Sequence, residues 1–377
     1  DLGHEVSFAS SDHTSGDSWQ DDGAALREQG LAQHVYVHRY SSPARFAWTT
    51  RRRAGWWIRD HGGPDLDLTR PPLLARWFER VLDKASPNVT FMNYAAWDYL
   101  IPDQVRMSTR TVIETHDLAS INREMQKAIQ SYLGRPGQAL LLSPASTREE
   151  LIREDFFRTR HFPVDPGELH AFDRYHHTIA ISEQEARLIQ RECPHTTTHF
   201  IPMTQRPAPG PSTYSGPALF PLGPNLFNVQ GYLYFVTRVL PRVLASAPTF
   251  LLRITGTFYP NLSVQVQPGT ELCGFIPDFS AITRTSSFVV CPVFGGTGQQ
   301  VKIVEAMSHG LPVVALRDAA ERTPLQHGVS GLVADDADEF ADHVLTLWND
   351  RALCKRLGEA GRQHVFEHLG SQRLSDG

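Results

Sequence analysis

Short apolar runs bounded by glycine and proline alternate along the chain with segments in which apolar residues recur every three or four positions. Runs of the first kind, such as residues 288–291 and 313–316, are typical of strands buried in a parallel sheet. Segments of the second kind, such as residues 71–85 and 146–157, are typical of amphipathic helices. The alternation of the two predicts an α/β protein.

Between the strands predicted at 288–291 and 313–316, the pattern indicates a glycine loop followed by a helix. The glycines in Gly-Gly-Thr-Gly, residues 295–298, let the backbone approach a ligand without interference from a Cβ atom. Residues 299–309 have helical spacing, and Gly310 is placed to cap the C-terminus. The loop thus meets a helix N-terminus, where free N–H groups favour an anion such as a diphosphate. An ordinary glycine turn in a βα unit is the alternative interpretation.

A histidine follows another predicted strand, at residues 111–114. His116 is expected at the carboxyl end of that strand, where open α/β sheets bind ligands. A structural hydrogen bond to a loop carbonyl is the alternative interpretation of this residue. We expect the next residue, Asp117, to cap the helix that follows.

A further strand is predicted at residues 178–181, directly before a serine. Ser182 and Glu185, three positions apart, have the spacing of a capping box. In such a box each of the two side chains accepts a hydrogen bond from a backbone N–H at the start of the helix. We therefore interpret both residues as helix-capping residues.

The length and the distribution of prolines indicate two domains. A chain of 377 residues exceeds the size of one ordinary hydrophobic core. Residues 205–224 contain six prolines and three glycines, a composition typical of a linker. We expect an N-terminal domain at residues 1–204 and a C-terminal domain at 225–377. Because residues 1–10 resemble the end of a helix entering a strand, we infer that the first βα unit is missing from this sequence.

Composition and charge exclude several classes of function. Apolar content of 41% and charged content of 20% are typical of a soluble globular protein. The net charge of −5 argues against general nucleic-acid binding. The four cysteines, at positions 193, 273, 291 and 354, lack metal-ligand spacing. We therefore expect Cys193, Cys273, Cys291 and Cys354 to be reduced core residues of a cytoplasmic protein, and we expect no metal site. No apolar run approaches the roughly 20 residues that span a membrane.

One segment combines arginines and tryptophans in an unusual way. Between Trp48 and Arg59, three consecutive arginines are flanked by three tryptophans. Such a segment could hold an anionic acceptor or make peripheral contact with an acidic membrane surface. The alternative is a solvated helix face whose tryptophans are anchored in the core.

The stretch at residues 291–315 resembles the donor-site signature of the retaining family-4 glycosyltransferases, in the branch that reads Gly-Thr-Gly, Lys, Glu-Ala-Met and Gly-x-Pro-Val-Val. The resemblance is strong over residues 288–315 and moderate around His116 and residues 179–202. It implies the GT-B fold, in which two Rossmann-like domains face each other across a cleft. The residue eight positions before Glu305 is a Glu in many members and Thr297 here, which leaves the donor sugar open.

The resemblance also implies roles for individual residues. Glu305 is expected to bind the ribose hydroxyls of a nucleotide-sugar, and His116 to approach the donor sugar. Lys302 is a candidate partner for the phosphates, or else an exposed helix residue. Backbone groups are expected to bind the rest of the donor. The diphosphate is expected to be bound by Gly295, Gly296, Thr297, Gly298 and Gln299, with Asn228 as a weaker candidate. The base is expected to contact Gly274, Phe275 and Ile276.

The activity implied is transfer of a sugar from a UDP- or GDP-sugar to an acceptor hydroxyl, with retention of anomeric configuration. The acceptor is expected to be a small molecule, a glycan or a lipid-linked compound. No cofactor or metal is expected, since the nucleotide-sugar is itself the donor substrate. Two alternatives are a catalytically inactive nucleotide-sugar-binding protein and a GT-B enzyme that hydrolyses, epimerises or phosphorolyses a sugar.

Overall fold

A computed structural model describes residues 3–11, 18–60, 70–71, 73–133, 140–205, 212–257 and 262–369. The chain divides into two compact units. The first contains Asp1–Met92 and Ala96–Val112, and the second contains Asn93–Ala95 and Ile113–Gly377. The domain boundaries predicted from the sequence, which fall elsewhere, stay a prediction.

The first unit begins with a parallel strand pair and is mostly helical after it. Ser7 lies opposite His34 in the register of this pair. One helix packs on both strands and buries Leu74, Phe78, Val81 and Leu82, as its apolar spacing predicts. The elements are β1 (Ser7–Ser11), α1 (Ser18–Glu28), β2 (His34–His38), α2 (Ser42–Asp60), the packing helix α3 (Leu74–Ala85) and α4 (Asp103–Ser108).

Helix α2 contains the segment of arginines and tryptophans. Trp48 is buried, and the Arg52 guanidinium lies 4.7 Å from the centre of its ring. Trp48 is therefore anchored in the core, in line with the second interpretation of the segment. The side chains of Trp56 and Trp57 lie outside the described residues, and the membrane contact stays a prediction.

A four-stranded sheet has the order β3-β4-β6-β7. Both units contribute residues to β3 and β4, because the division of the chain falls at Asn93 and Ile113. In the second unit, β6 and β7 pair in parallel with His177 opposite Thr197. The elements are β3 (Val89–Asn93), β4 (Arg110–Glu114), α5 (Ala119–Leu133), β5 (Leu140–Leu142), α6 (Pro166–Asp173), β6 (His177–Ala180), α7 (Glu183–Glu192) and β7 (Thr197–Phe200).

The rest of the second unit is built on a six-stranded parallel sheet. Its strands and helices alternate along the chain, and the short strand β10 pairs with β5 instead. The elements are β8 (Ala218–Leu222), α8 (Leu226–Tyr234), α9 (Leu240–Ser246), β9 (Leu252–Gly256), β10 (Leu262–Val264), β11 (Thr270–Gly274), α10 (Phe279–Arg284), β12 (Val289–Cys291), α11 (Val301–Ser308), β13 (Val313–Leu316), α12 (Arg317–Ala320), β14 (Gly331–Ala334), α13 (Ala337–Asn349) and α14 (Arg351–Leu369).

The strand order of this sheet is β11-β9-β8-β12-β13-β14, and all its pairs are parallel. Numbered along the chain within the sheet, this is the order 3-2-1-4-5-6 of a Rossmann fold. Strands β12 and β13 are completely buried, as expected for strands covered by helices on both faces.

Two predictions of local structure were wrong. Residues 218–222, inside the proline-rich stretch assigned to the linker, form the nearly fully buried strand β8. Residues 206–211 of that stretch lie outside the described residues. Residues 147–160 form successive turns rather than a helix, with the Leu151 and Phe156 N–H groups each bonded three residues back. The Leu151 carbonyl accepts from the Gln230 side chain instead of a helical N–H, because Leu151 and Phe156 are buried against the core formed with the six-stranded sheet.

Candidate active site

The site lies where the strand order of the six-stranded sheet reverses. From β8 the chain crosses first to β9 on one side, and β12 later pairs with β8 on the other. In open α/β sheets the crevice outside the carboxyl ends of two such strands is the usual ligand site. Here those ends are followed by residues 223–228 after β8 and by the glycine loop, residues 295–299, after β12.

The glycine loop requires glycine at three positions. Gly296 has φ of +105°, which disfavours other residues. A Cβ on Gly295 would lie 2.2 Å from the Phe227 ring, and one on Gly298 would lie 2.4 Å from the His116 carbonyl oxygen. The loop therefore packs tightly against protein atoms at Gly295 and Gly298, and the predicted close approach of its backbone to a ligand stays a prediction.

The backbone N–H groups of residues 295–300 point to a role for this loop. Within the described part of the chain, none of them donates a hydrogen bond. Helix α11 starts at Val301, and no side chain caps it at Gln300. The loop amides and the first turn of α11 thus offer several donors at a helix N-terminus, an arrangement that favours anions.

Two cations, the half-buried Lys302 and the buried Arg322, lie near the loop. Arg322 donates at 2.8 Å to the carbonyl oxygens of both Gly295 and Gly296. Lys302 donates to the Pro221 carbonyl at 3.1 Å and to the Asn228 side chain. Burial lowers the pKa of the Lys302 ammonium and of the Arg322 guanidinium.

Lys302 is therefore not an exposed helix residue. Its ammonium bridges from α11 to the end of β8, and so the structure brings Lys302 and Asn228 together at the switch point. Asn228 is itself buried and donates to the Gly223 carbonyl at 3.0 Å. The pair links the two loops that border the crevice.

Glu305 lies three residues after Lys302, one helical turn farther along α11. Its side chain is half-buried, and burial raises the pKa of its carboxyl. Among the described residues, no side chain or backbone group donates a hydrogen bond to this carboxylate. The Glu305 carboxylate can therefore accept hydrogen bonds from the hydroxyls of a ligand. These bonds would replace the bonds to water that the carboxylate loses on burial.

The residues predicted to contact the base stand apart from this group. Gly274 ends β11 with φ of +67°, and Phe275 after it is 72% exposed. Because the sheet is parallel, they follow the same sheet edge as the glycine loop, but β9 and β8 lie between β11 and β12. Within the described residues, no hydrogen bond joins residues 274–276 to the glycine loop.

His116 is held by polar groups at the ends of β3 and β4. Its Nε2 lies 3.3 Å from Asn93 Oδ1 and 3.6 Å from Glu114 Oε2, and its ring stacks on Tyr94 with 4.5 Å between centres. A carboxylate can only accept, so these partners favour the tautomer with the proton on Nε2. Nδ1 is then an acceptor. His116 also has φ of +54°, a strained value that a tightly packed loop can impose.

The glycine loop is bonded to the segment that carries His116. The Leu118 N–H donates to Thr297 Oγ1 at 3.0 Å, and Ser182 Oγ donates to the Thr297 carbonyl at 3.0 Å. The Met203 N–H donates to Gln299 Oε1 at 2.9 Å. The structure thus brings together His116 and the predicted diphosphate loop, which are far apart in sequence.

Asp117 does not have the role that the sequence predicted for it, and Glu168 takes that role instead. Asp117 does not supply the cap of α5; Glu168 does, accepting from the Ala119 N–H at 2.8 Å and the Ser120 N–H at 3.0 Å. Burial raises the pKa of Asp117, as expected for a carboxyl enclosed beside Glu168. Glu168 is far from α5 in sequence, so no local pattern identified it.

Glu185 and Arg322 are the other residues that the sequence did not identify as part of the site. The Ser182 hydroxyl accepts from the Glu185 N–H, as a capping box requires. The Glu185 carboxylate, however, accepts from the Leu118 N–H at 3.0 Å and from the Thr297 hydroxyl. Burial is the main cause that raises the pKa of Glu185 to about 7. Arg322 lies in the turn after α12, and no pattern among its neighbours in the sequence predicts a contact with the loop.

Two further features, a metal site and a membrane-spanning helix, are both absent from the described residues. No group of three or more His, Cys, Asp or Glu side chains there is arranged to hold a metal ion. Among the helices of the described ranges, none is long and apolar enough to cross a membrane.

Comparison with known proteins identifies relatives of this site. Residues 219–350 match the family model "Glycosyl transferases group 1". A trehalose phosphorylase from Pleurotus pulmonarius is 36% identical over 76 residues, which cover 20% of this chain and 10% of the phosphorylase. The chain therefore matches only a small part of that relative.

Solved structures establish the fold. Sucrose-phosphate synthase from Thermosynechococcus elongatus aligns with a TM-score of 0.58 at 15% identity, over 98% of this chain and 96% of the synthase. HepE from Anabaena, in complex with UDP and glucose, aligns with a TM-score of 0.58 at 13% identity, over 99% of each chain. The chain has the GT-B fold with two Rossmann-like domains, as the sequence predicted. The family match supports a group 1 glycosyltransferase.

Proposed function

We propose that this protein transfers a sugar from a nucleoside diphosphate sugar, carrying UDP or GDP, to an acceptor hydroxyl with retention of configuration. The observation that carries the proposal is the glycine loop, whose unbonded N–H groups begin helix α11 beside two cations. Only a strongly anionic ligand uses all of these features at once.

The diphosphate of the donor accounts for the charges around the loop. Lys302 and Arg322 are enclosed with backbone carbonyls and the Asn228 amide as their hydrogen-bond partners. An enclosed cation is costly unless a negative charge lies nearby. A diphosphate on the loop amides would supply that charge for Lys302 and would add to the nearby Asp318 and Glu185 for Arg322. The same groups would stabilise the diphosphate as the leaving group.

The rest of the donor fits the remaining candidates. Glu305 would accept hydrogen bonds from the ribose hydroxyls, and the backbone at residues 274–276 would contact the base. His116 would act on the donor sugar, where Nδ1 can accept a hydrogen bond from a sugar hydroxyl. Its carbonyl oxygen already lies against Gly298, which supports an assignment next to the diphosphate.

Calorimetry with UDP and with GDP, in the presence of a chelator, tests the donor assignment. We expect one of the two to bind without added metal, because backbone amides and enclosed cations supply the phosphate contacts. The matched variant Glu183→Gln, on the exposed face of α7, should bind equally well. Affinity that appears only after magnesium is added would contradict the proposed mode of binding.

The similarity to a trehalose phosphorylase favours phosphorolysis as a second candidate activity. Incubating the protein with a UDP-sugar, with and without acceptor, and separately with a disaccharide and inorganic phosphate separates the activities. We expect nucleotide release that depends on acceptor. Sugar phosphate formed from the disaccharide would favour phosphorolysis, and sugar released without acceptor would favour hydrolysis. Binding of UDP with no turnover over a broad acceptor set would favour the inactive binder.

A further inference from the structure

Glu185 has the sequence position of a helix-capping residue but not the contacts of one. In a capping box the acidic side chain folds back to the N–H of the first residue, here Ser182. The Glu185 carboxylate instead reaches across to the Leu118 N–H and the Thr297 hydroxyl, and is only 2% exposed. The Thr115 hydroxyl lies 3.4 Å from its second oxygen.

Both members of the predicted box converge on one residue of the glycine loop. Ser182 Oγ donates to the Thr297 carbonyl, while Glu185 accepts from the Thr297 hydroxyl. Thr297 Oγ1 in turn accepts from the Leu118 N–H. The polar atoms of the Thr297 side chain and its carbonyl are therefore fixed by helix α7 and the segment before α5.

The two residues of the loop before Thr297 are fixed by Arg322. Its two terminal nitrogens donate to the carbonyls of Gly295 and Gly296, which orients both peptide groups. With the carbonyl oxygens held on the Arg322 side, the N–H groups of the loop are left for a ligand. Arg322 is also within the electrostatic field of Glu185.

We infer that Glu185 and Arg322 are positioning residues that hold the glycine loop at consecutive residues, Arg322 at Gly295 and Gly296 and Glu185 at Thr297, so that its amides are preorganised for the donor diphosphate. Neither side chain needs to touch the donor, because each acts through Thr297 or through the loop carbonyls. This inference rests on the proposed function, since it assumes that the loop binds a nucleoside diphosphate. Preorganised donors bind an anion more tightly than donors that must first be ordered.

Burial makes a purely structural explanation of Glu185 costly. A carboxylate enclosed this far loses most of its hydration, and a glutamine or an apolar residue would cap or pack with less penalty. The groups that face it are Asp117, Arg322 and the hydroxyls of Thr115, Ser182 and Thr297. The raised pKa of Glu185 reflects the same enclosure.

Hydrogen exchange of the ligand-free protein tests the positioning directly. In Glu185→Ala and in Thr297→Val, we expect exchange of the Val301 and Ile303 amides, which donate to the carbonyls of Gln299 and Gln300, to accelerate about tenfold or more, while Thr297→Ser, which keeps the hydroxyl, stays near wild type. Glu183→Gln on the same helix is the matched control, because its partner is Arg187. Unchanged exchange in both Glu185→Ala and Thr297→Val would overturn the inference.

Binding of UDP then separates positioning from stability. We expect Glu185→Gln and Thr297→Val each to weaken UDP binding by about tenfold, with little further loss in the double variant, because both remove the same interaction. The melting temperature is measured for each variant. A fall in melting temperature with unchanged UDP affinity would show that Glu185 is only structural.

The same experiments distinguish failure of the inference from failure of the proposed function. Wild-type protein that binds neither UDP nor GDP would contradict the donor assignment, whatever the exchange data show. Wild-type binding together with loop exchange that ignores Glu185 and Arg322 would contradict only the positioning. Arg322→Lys adds an independent arm, since a lysine cannot hold both carbonyls in the geometry of a guanidinium.

Discussion

The glycine loop separates two regions of opposite charge. On one side, from residues 113–205, lie the enclosed carboxyls of Asp117 and Glu185, which we call the acidic side. On the other side, from residues 212–369, lie the enclosed cations Lys302 and Arg322, which we call the basic side. Burial raises the pKa of the carboxyls and lowers the pKa of the cations, so both sets are shifted toward their neutral forms.

The difference between the two sides determines where a negatively charged ligand would bind. A diphosphate would stabilise the cations of the basic side and destabilise the ionised carboxyls of the acidic side. The phosphates should therefore sit on the basic side, with the acidic side shaping the loop and carrying His116 to the sugar. Donor affinity and turnover should then depend on different sides, which the following variants examine.

The largest effects should come from changing one residue on each side. His116→Ala should lower turnover by roughly 10²–10³-fold with little change in donor affinity, because the proposed function places His116 where charge develops. Glu305→Ala on the basic side should mainly weaken donor binding, by roughly ten- to a hundredfold, through loss of a charged hydrogen bond. Steady-state kinetics and calorimetry check both.

Each of these variants must keep a melting temperature near wild type, since an unfolded protein would imitate either result. If His116→Ala turns over normally while Glu305→Ala binds donor normally, both residues are assigned to the wrong roles. If both variants lose only donor affinity, then both sides act in donor binding, and the proposed role of His116 in turnover is wrong.

A substitution at the contact between the sides comes next in size. In Gly298→Ala the new Cβ would lie 2.4 Å from the His116 carbonyl oxygen, a backbone atom that cannot move away cheaply. We expect a loss of about 1–3 kcal/mol in the free energy of unfolding and weaker UDP binding. Gly361→Ala, whose Cβ would meet its neighbours at 3.4 Å or more, is the control. Full stability and affinity in Gly298→Ala would mean that the two sides do not meet as closely as described.

On the basic side alone, Arg322→Met should have a smaller effect on stability. It leaves the carbonyls of Gly295 and Gly296 without their donor, but also removes a buried cation, so a net loss of about 1 kcal/mol is expected. UDP affinity should fall roughly tenfold as the loop loses its support. Denaturant unfolding and calorimetry measure the two quantities. Arg317→Met, which alters only an exposed pair with Asp335, should change neither; an equal effect from both variants would argue against a special role of Arg322.

On the acidic side, the smallest expected effect is a pH dependence of stability. The folded protein raises the pKa of Glu185 from 4.5 to about 7, so between these values the folded state holds a proton that the unfolded state has released. Stability should therefore fall as pH rises from 4.5 to 7, by at most about 1.4 kcal/mol per pH unit from this residue. Asp117, also raised, acts in the same direction.

Denaturant unfolding across this pH range measures the slope. Glu185→Gln should flatten it, while Glu183→Gln, which changes an exposed carboxyl, should leave it as in wild type. A slope that survives Glu185→Gln unchanged would assign the pH dependence to Asp117 or to other groups.

The sequence alone determined the local units of the site. The run β12, glycine loop, α11 and β13 was predicted nearly to its ends, and Gly310 has the positive φ of a C-terminal cap. These features depend on apolar spacing and on glycine, which act within a few residues of the chain. The placement of His116 at a strand end followed from the same local patterns.

The tertiary structure decided what those units contact. Leu118 and Thr297 are 179 positions apart, and no local pattern relates them. Glu185 looked like a capping residue because the spacing rule considers only its own helix. Residues 146–157 have a helical pattern, yet burial of Leu151 and Phe156 favoured turns, and the Leu151 carbonyl accepts from Gln230. Such contacts depend on which enclosed groups form hydrogen bonds or charge interactions with one another. These partners are determined only when segments that are distant in the sequence pack together.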